Sequence, residues 1–157
     1  MSTHKFDLKA YEDKDKKEAV IVKQTLRQAL PGSKRNMVTD ALLQKFNDAL
    51  TDSNIRQELR DNFLSYTGVL EEGTYKLEQY LNAVKYVSYR LMGETRVMAW
   101  VKTFPDRYKA MEAKGIVERD LEGRVSLYNK TQLVSKLMEQ SLVPSWVLNQ
   151  DLYQKAL

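Results

Sequence analysis

Only three prolines and six glycines punctuate these 157 residues, and most stand where a helical stripe of apolar residues stops. That placement constrains the fold more than anything else in the chain, because both residue types break helices and here they bound them. Ala19, Val20, Val22, Leu26, Ala29 and Leu30 recur at helical spacing over 12–30, and Pro31-Gly32 ends the run. Val38, Ala41, Leu42, Phe46, Ala49 and Leu50 make a second stripe. Thr51, Asp52 or Ser53 is placed to cap a third helix presenting Ile55, Leu59, Phe63 and Leu64. Gly68 and Gly73 bracket a short connector. The longest stripe, about 74–92, carries Leu77, Tyr80, Leu81, Val84, Val87, Leu91 and Met92, and Gly93 stops it. Thr95 can cap the next helix, Pro105 pre-sets the first turn of the one after, and Gly115 closes that. The expected class is all-α, with about seven or eight helices.

Residues 116–128 admit two readings. Val117, Leu121, Val125 and Tyr128 keep helical spacing, the reading we favour. Val125 and Leu127 also alternate, and Glu122-Gly123 suits a turn, which would make a small β-hairpin. Helical spacing resumes at Thr131 with Leu133, Val134, Leu137 and Met138. Pro144 breaks it, and Trp146, Val147, Leu148, Leu152 and Tyr153 form a last stripe. The two stripes make a C-terminal helical hairpin. Such a hairpin buries little alone, so Leu133, Leu137, Met138, Trp146, Val147 and Leu152 are the candidates for a contact between copies of the chain, docking within one copy being the alternative. The last stripe has no stop signal, so the natural chain is expected to continue or to have been cut there.

Composition removes several function classes. There is no cysteine, which excludes disulfides and thiolate metal sites and fits an intracellular, cytoplasmic setting. No window is apolar enough for a membrane span, and the start lacks an apolar run of the secretory kind. The only histidine, His4, gives no material for a histidine base or zinc cluster, and no glycine-rich phosphate loop occurs. Adjacent carboxylates such as Glu71-Glu72 are read as solvated surface. The chain is therefore expected not to be an enzyme and to need no cofactor or metal.

The net charge of +4 is unevenly placed. Residues 76–115 hold eight Lys/Arg against four Asp/Glu, residues 38–75 hold three against seven, and the first 37 hold nine against five. Basic blocks flanking an acidic one suit a polyanion partner, although a solvated helical surface gives the same counts. The second block coincides with three helices joined by tight breaks, at Gly93 and at Thr103-Phe104-Pro105. Ala99 permits a close helix crossing there. This is the pattern of a helix-turn-helix, and the expected DNA contacts are Arg96, Lys102, Arg107, Lys109 and Lys114, mostly to phosphates. Arg107 is the candidate for a base edge. Lys14, Lys16, Lys17, Lys34 and Arg35 could add a sequence-blind clamp. Tyr80, Tyr86, Tyr89, Trp100, Phe104 and Tyr108 are read as core rather than as base-stacking residues.

The run G-E-T-x-x-x-A-W-x-x-T-F-P-x-R, Gly93 to Arg107, resembles the helix-turn-helix of small terminase subunits of tailed bacteriophages. Tyr128-Asn129-Lys130, Leu133-Val134, Met138-Glu139-Gln140 and the segment Val143 to Gln150 are similar to that packaging type as well. The likeness spans about residues 78–157. It implies a non-enzymatic packaging factor that forms a ring, binds double-stranded viral DNA and regulates the large terminase subunit in the host cytoplasm. Carried over, 93–114 would read DNA and 131–157 would form the ring. The motif lies mid-chain here, where the family usually places it near the start, and the family's C-terminal extension is not expected in this chain.

Three regions follow: an N-terminal helical region with a basic arm (1–73), a helix-turn-helix-like segment (74–115) and a C-terminal oligomerisation region (116–157). A winged-helix regulator is the first alternative, with 117–128 as the wing hinged at Gly123. A structural or interaction module without a DNA role is the second.

Overall fold

A computed structural model describes residues 23–142, and these are helical, with no strand among them. Helix α1 covers 23–29, and a short 3₁₀ helix, Gly32–Met37, leads into α2 (Asp40–Ala49). Then follow α3 (Arg56–Ser65), α4 (Gly68–Glu72), α5 (Leu77–Leu91), α6 (Arg96–Thr103), α7 (Pro105–Ala113), α8 (Glu118–Asn129) and α9 (Gln132–Ser141). No described helix is long and apolar enough to cross a membrane.

Helix α5 is the axis of the fold. Nine of its fifteen residues are buried, on every side of the helix. A helix buried around most of its circumference must be enclosed by others, and α2, α3, α6 and α9 pack on it. Across α3 and α5 the Asn62 amide donates to Ser88 Oγ (3.1 Å), and Ser88 donates back to the Val84 carbonyl (2.7 Å), a small satisfied polar link inside the core. The Tyr80 hydroxyl, fully buried, donates to the Phe63 carbonyl (2.7 Å), one of the orphan acceptors in the last turn of α3.

Local signals explain most boundaries. Thr39 accepts from the Leu42 amide (3.1 Å) and starts α2. Thr95 accepts from Met98 (3.2 Å) and starts α6, and Pro105 is the first residue of α7. Gly93 (φ +98°) and Gly115 (φ +69°) take the left-handed backbone that ends α5 and α7. The 116–128 ambiguity resolves as helix: α8 runs through Gly123, so neither the β-hairpin nor the wing of the winged-helix alternative is formed.

Two expectations are corrected. The capping trio Thr51, Asp52 and Ser53 does not start α3; Ile55 stands at its N-cap without a side-chain bond. Asp52 is spent otherwise, accepting the Asn54 amide (3.0 Å) on one oxygen and the Tyr89 hydroxyl (2.9 Å) on the other. The connector between Gly68 and Gly73 is itself the short helix α4, because Val69 and Leu70 both find buried places.

Candidate nucleic-acid interface

The basic segment is built on α5 through α6. Ala99 is fully buried, as a close crossing demands, and Trp100 lies beside it with its ring centroid 5.5 Å from that of Phe104. Thr103 stands where a turn glycine would be expected. Its hydroxyl donates to the Ala99 carbonyl one turn back (2.7 Å), which satisfies it in a buried position. The α6–α7 connection is Phe104 alone. DNA-reading helix-turn-helix units use a turn of about three or four residues. The corner here is tighter, because Phe104 itself is buried and pins it. Helix α7 lies at the margin: only Met111 of its nine residues is buried.

The five predicted contacts do not share one face. Arg96 is the exposed first residue of α6. Lys109 and Lys114 are exposed on and just after α7. Arg107 and Lys109 are two positions apart, so they cannot face the same way on a helix. The Arg107 guanidinium lies over the Phe104 ring, 4.3 Å from its centroid. Lys102 is withdrawn from the set. Its ammonium pairs with the Glu94 carboxylate and sits 5.5 Å from the Tyr89 ring centroid, in a partly buried position. Arg90 joins this network by donating to the Glu94 carbonyl (2.8 Å), while its buried Nε has no partner among the described residues. Near it, Lys85 has its pKa lowered by burial, opposed by Asp52 and Asp48.

Sequence reasoning missed Arg119 and Arg124, exposed on α8, and Lys130, exposed at its C-cap. While 116–128 could be a hairpin, these cations had no common element; the uninterrupted helix gives them one. With Arg96, Lys109 and Lys114 they make six exposed cations on α6–α8 and its flanks. None forms a hydrogen bond or ion pair with the described residues. Earlier in the chain most cations are held: Lys23 by Asp40, Lys45 by Glu78, and Lys34, Arg35, Arg56 and Arg90 by backbone carbonyls. Lys34 and Arg35, two members of the expected clamp, are therefore structural; Lys14, Lys16 and Lys17 lie outside the described residues.

The expected aromatic core is largely present. Tyr80, Tyr86, Tyr89, Trp100 and Phe104 are buried, and Tyr108 is half-buried. The expected oligomerisation residues divide differently. Leu133 and Leu137 are buried in the same core as α5, and Met138 packs against it partly buried. These three dock within one copy of the chain, because α9 has α4, α5 and α8 to cover its apolar face. Trp146, Val147 and Leu152 lie outside the described residues, as does the Pro144 corner of the expected hairpin.

Compared with known protein families, curated proteins and solved structures, the chain matches none. The terminase resemblance therefore stands on the quoted residues alone. Among the described residues no group of three or more His, Asp or Glu is arranged to hold a metal ion.

Proposed function

We propose that this is a non-enzymatic DNA-binding protein that lays α6–α8 against the phosphate backbone of a duplex. One observation carries the reading. Of the exposed cations with no hydrogen bond or ion pair among the described residues, Arg96, Lys109, Lys114, Arg119, Arg124 and Lys130 lie there, against Arg27, Arg60 and Lys76 earlier in the chain. A lysine or arginine already in an ion pair must give that up to meet a phosphate, whereas an unengaged one only releases counterions. The arrangement favours many phosphate contacts over base reading. Arg107, the base-edge candidate, leans over Phe104.

The finer reading is a packaging factor of the small-terminase kind that self-associates and regulates a large subunit. Its support is the Gly93–Arg107 run and the C-terminal likeness. Repetition around a ring would turn weak phosphate contacts into firm binding.

Fluorescence anisotropy of duplex DNA over a salt series tests the coarse reading. Binding should fall steeply with salt and not depend on sequence. Affinity unaffected by salt, or no binding at low salt, would leave an interaction module without a DNA role. Light scattering after gel filtration tests the finer reading: a closed assembly of many copies supports it, and a monomer with and without DNA removes it.

A further inference from the structure

A cleft of about 290 Å³ opens where the first half of α5, the α6–α7 corner and the α8–α9 corner converge. Its floor is apolar and buried, made of Phe104, Leu133 and Val134. Tyr128 forms a wall, its ring edge-on to Phe104 with centroids 5.1 Å apart. Burial raises the pKa of the Tyr128 hydroxyl, so it stays a neutral donor throughout the physiological range. The Arg107 guanidinium lines the mouth, stacked on Phe104, and no carboxylate among the described residues pairs with it.

Around this floor stand amides with spare capacity. Gln79 gives only its oxygen, to the Lys76 amide (3.0 Å), while Asn82 and Gln132 make no side-chain hydrogen bond with the described residues. Residues 131–134, the start of the ten-residue helix α9, complete the lining. Thr131 does not cap that helix: its hydroxyl donates to the Tyr128 carbonyl (2.7 Å), which leaves the first-turn amides without a side-chain acceptor.

These features call for different parts of one ligand. A guanidinium stacked on a ring without a counter-charge favours an anion, and the uncapped helix start adds to it. Amides with free donors and acceptors suit the edge of a heterocycle. A buried aromatic and aliphatic floor suits its π-face. We propose that this cleft binds a nucleoside monophosphate unit, with the base against Tyr128, its edge at Asn82 and Gln132, and the phosphate at Arg107. The site does not rest on the duplex reading, because its one cation is none of the six unengaged ones.

Calorimetric titration of the full chain with adenosine monophosphate, adenosine and inorganic phosphate tests it. The monophosphate should bind one to one, with adenosine and phosphate each weaker by about tenfold or more. Arg107→Gln should weaken the monophosphate by a similar factor and leave adenosine unchanged. Gln132→Ala, at an exposed position outside the core, should weaken both. No binding of the monophosphate, or binding that ignores both variants while circular dichroism reports native helix, overturns the proposal. Displacement by a short single strand would identify the natural ligand as a strand nucleotide, and no displacement as a free nucleotide. Lys109→Ala with Lys114→Ala should weaken duplex binding and spare the monophosphate, so failure of one reading is visible apart from the other.

Discussion

Single side chains in this protein are decided by whether a partner stands opposite them. Tyr80 reaches an orphan helix carbonyl through a fully enclosed path. Tyr80→Phe leaves that acceptor dry and unpaired, and should cost about 1–3 kcal/mol in denaturant unfolding without changing the fold. Burial also raises the pKa of Tyr80, Tyr89 and Tyr128. The sign follows from the unfolded chain, whose tyrosines ionise near pH 10. Below that value the buried tyrosines contribute fully; above it the unfolded state gains by ionising and the folded state does not. Stability should therefore stay level through neutral pH and fall as pH climbs past about 10, which alkaline unfolding followed by tyrosinate absorbance would check. Lys85 works in the opposite sense. Its folded pKa is lowered chiefly by burial, so the charged form is disfavoured in the fold at neutral pH. Lys85→Met should raise the melting temperature at pH 7, and the gain should shrink as pH approaches the ordinary lysine value of about 10.4. A melting temperature that drops at pH 7 would show that Asp48 and Asp52 outweigh the burial.

At the scale of elements, glycines separate the helices that stop from the one that does not. Gly93 and Gly115 hold left-handed backbone, whereas Gly123 lies inside α8 with open space where a Cβ would go. Gly93→Ala should destabilise by about 1 kcal/mol through backbone strain, since nothing crowds the position. Gly123→Ala should stabilise by about 0.5–1 kcal/mol, as expected for an exposed helix interior. A turn at Glu122-Gly123 would reverse that second sign, so thermal melts of the pair check the helix directly. The stripes in the sequence located α2, α5, α6 and α9 because their apolar spacing, caps and stops agree. Helix α4 was hidden by its length, five residues offering too few turns for a periodic signal. Asp52 misled in another way: a short polar residue before an apolar run reads as a cap, yet its oxygens go to Asn54 and to Tyr89, thirty-seven residues away.

For the whole molecule the question is which cations are left over once the core is assembled. If α6–α8 meets phosphates, replacing Lys109, Lys114 and Arg119 by alanine should weaken duplex binding. It should also flatten the slope of log K against log salt by about 0.9 per lost contact. Lys102→Ala, by contrast, should leave that slope unchanged and lower stability instead. An unchanged slope in the triple variant would move the interface off α7 and α8. The amino-acid sequence by itself determined the helical class, the principal helix ends and the inward sense of the aromatic set, because periodicity, capping and glycine conformation act within a few residues of one another. Only the tertiary structure decided which charges are free, that Leu133 and Leu137 belong to the core of one copy, and that Arg107 meets Tyr128 and Gln132 around a cleft. Those outcomes depend on contacts between residues tens of positions apart, which local spacing does not encode.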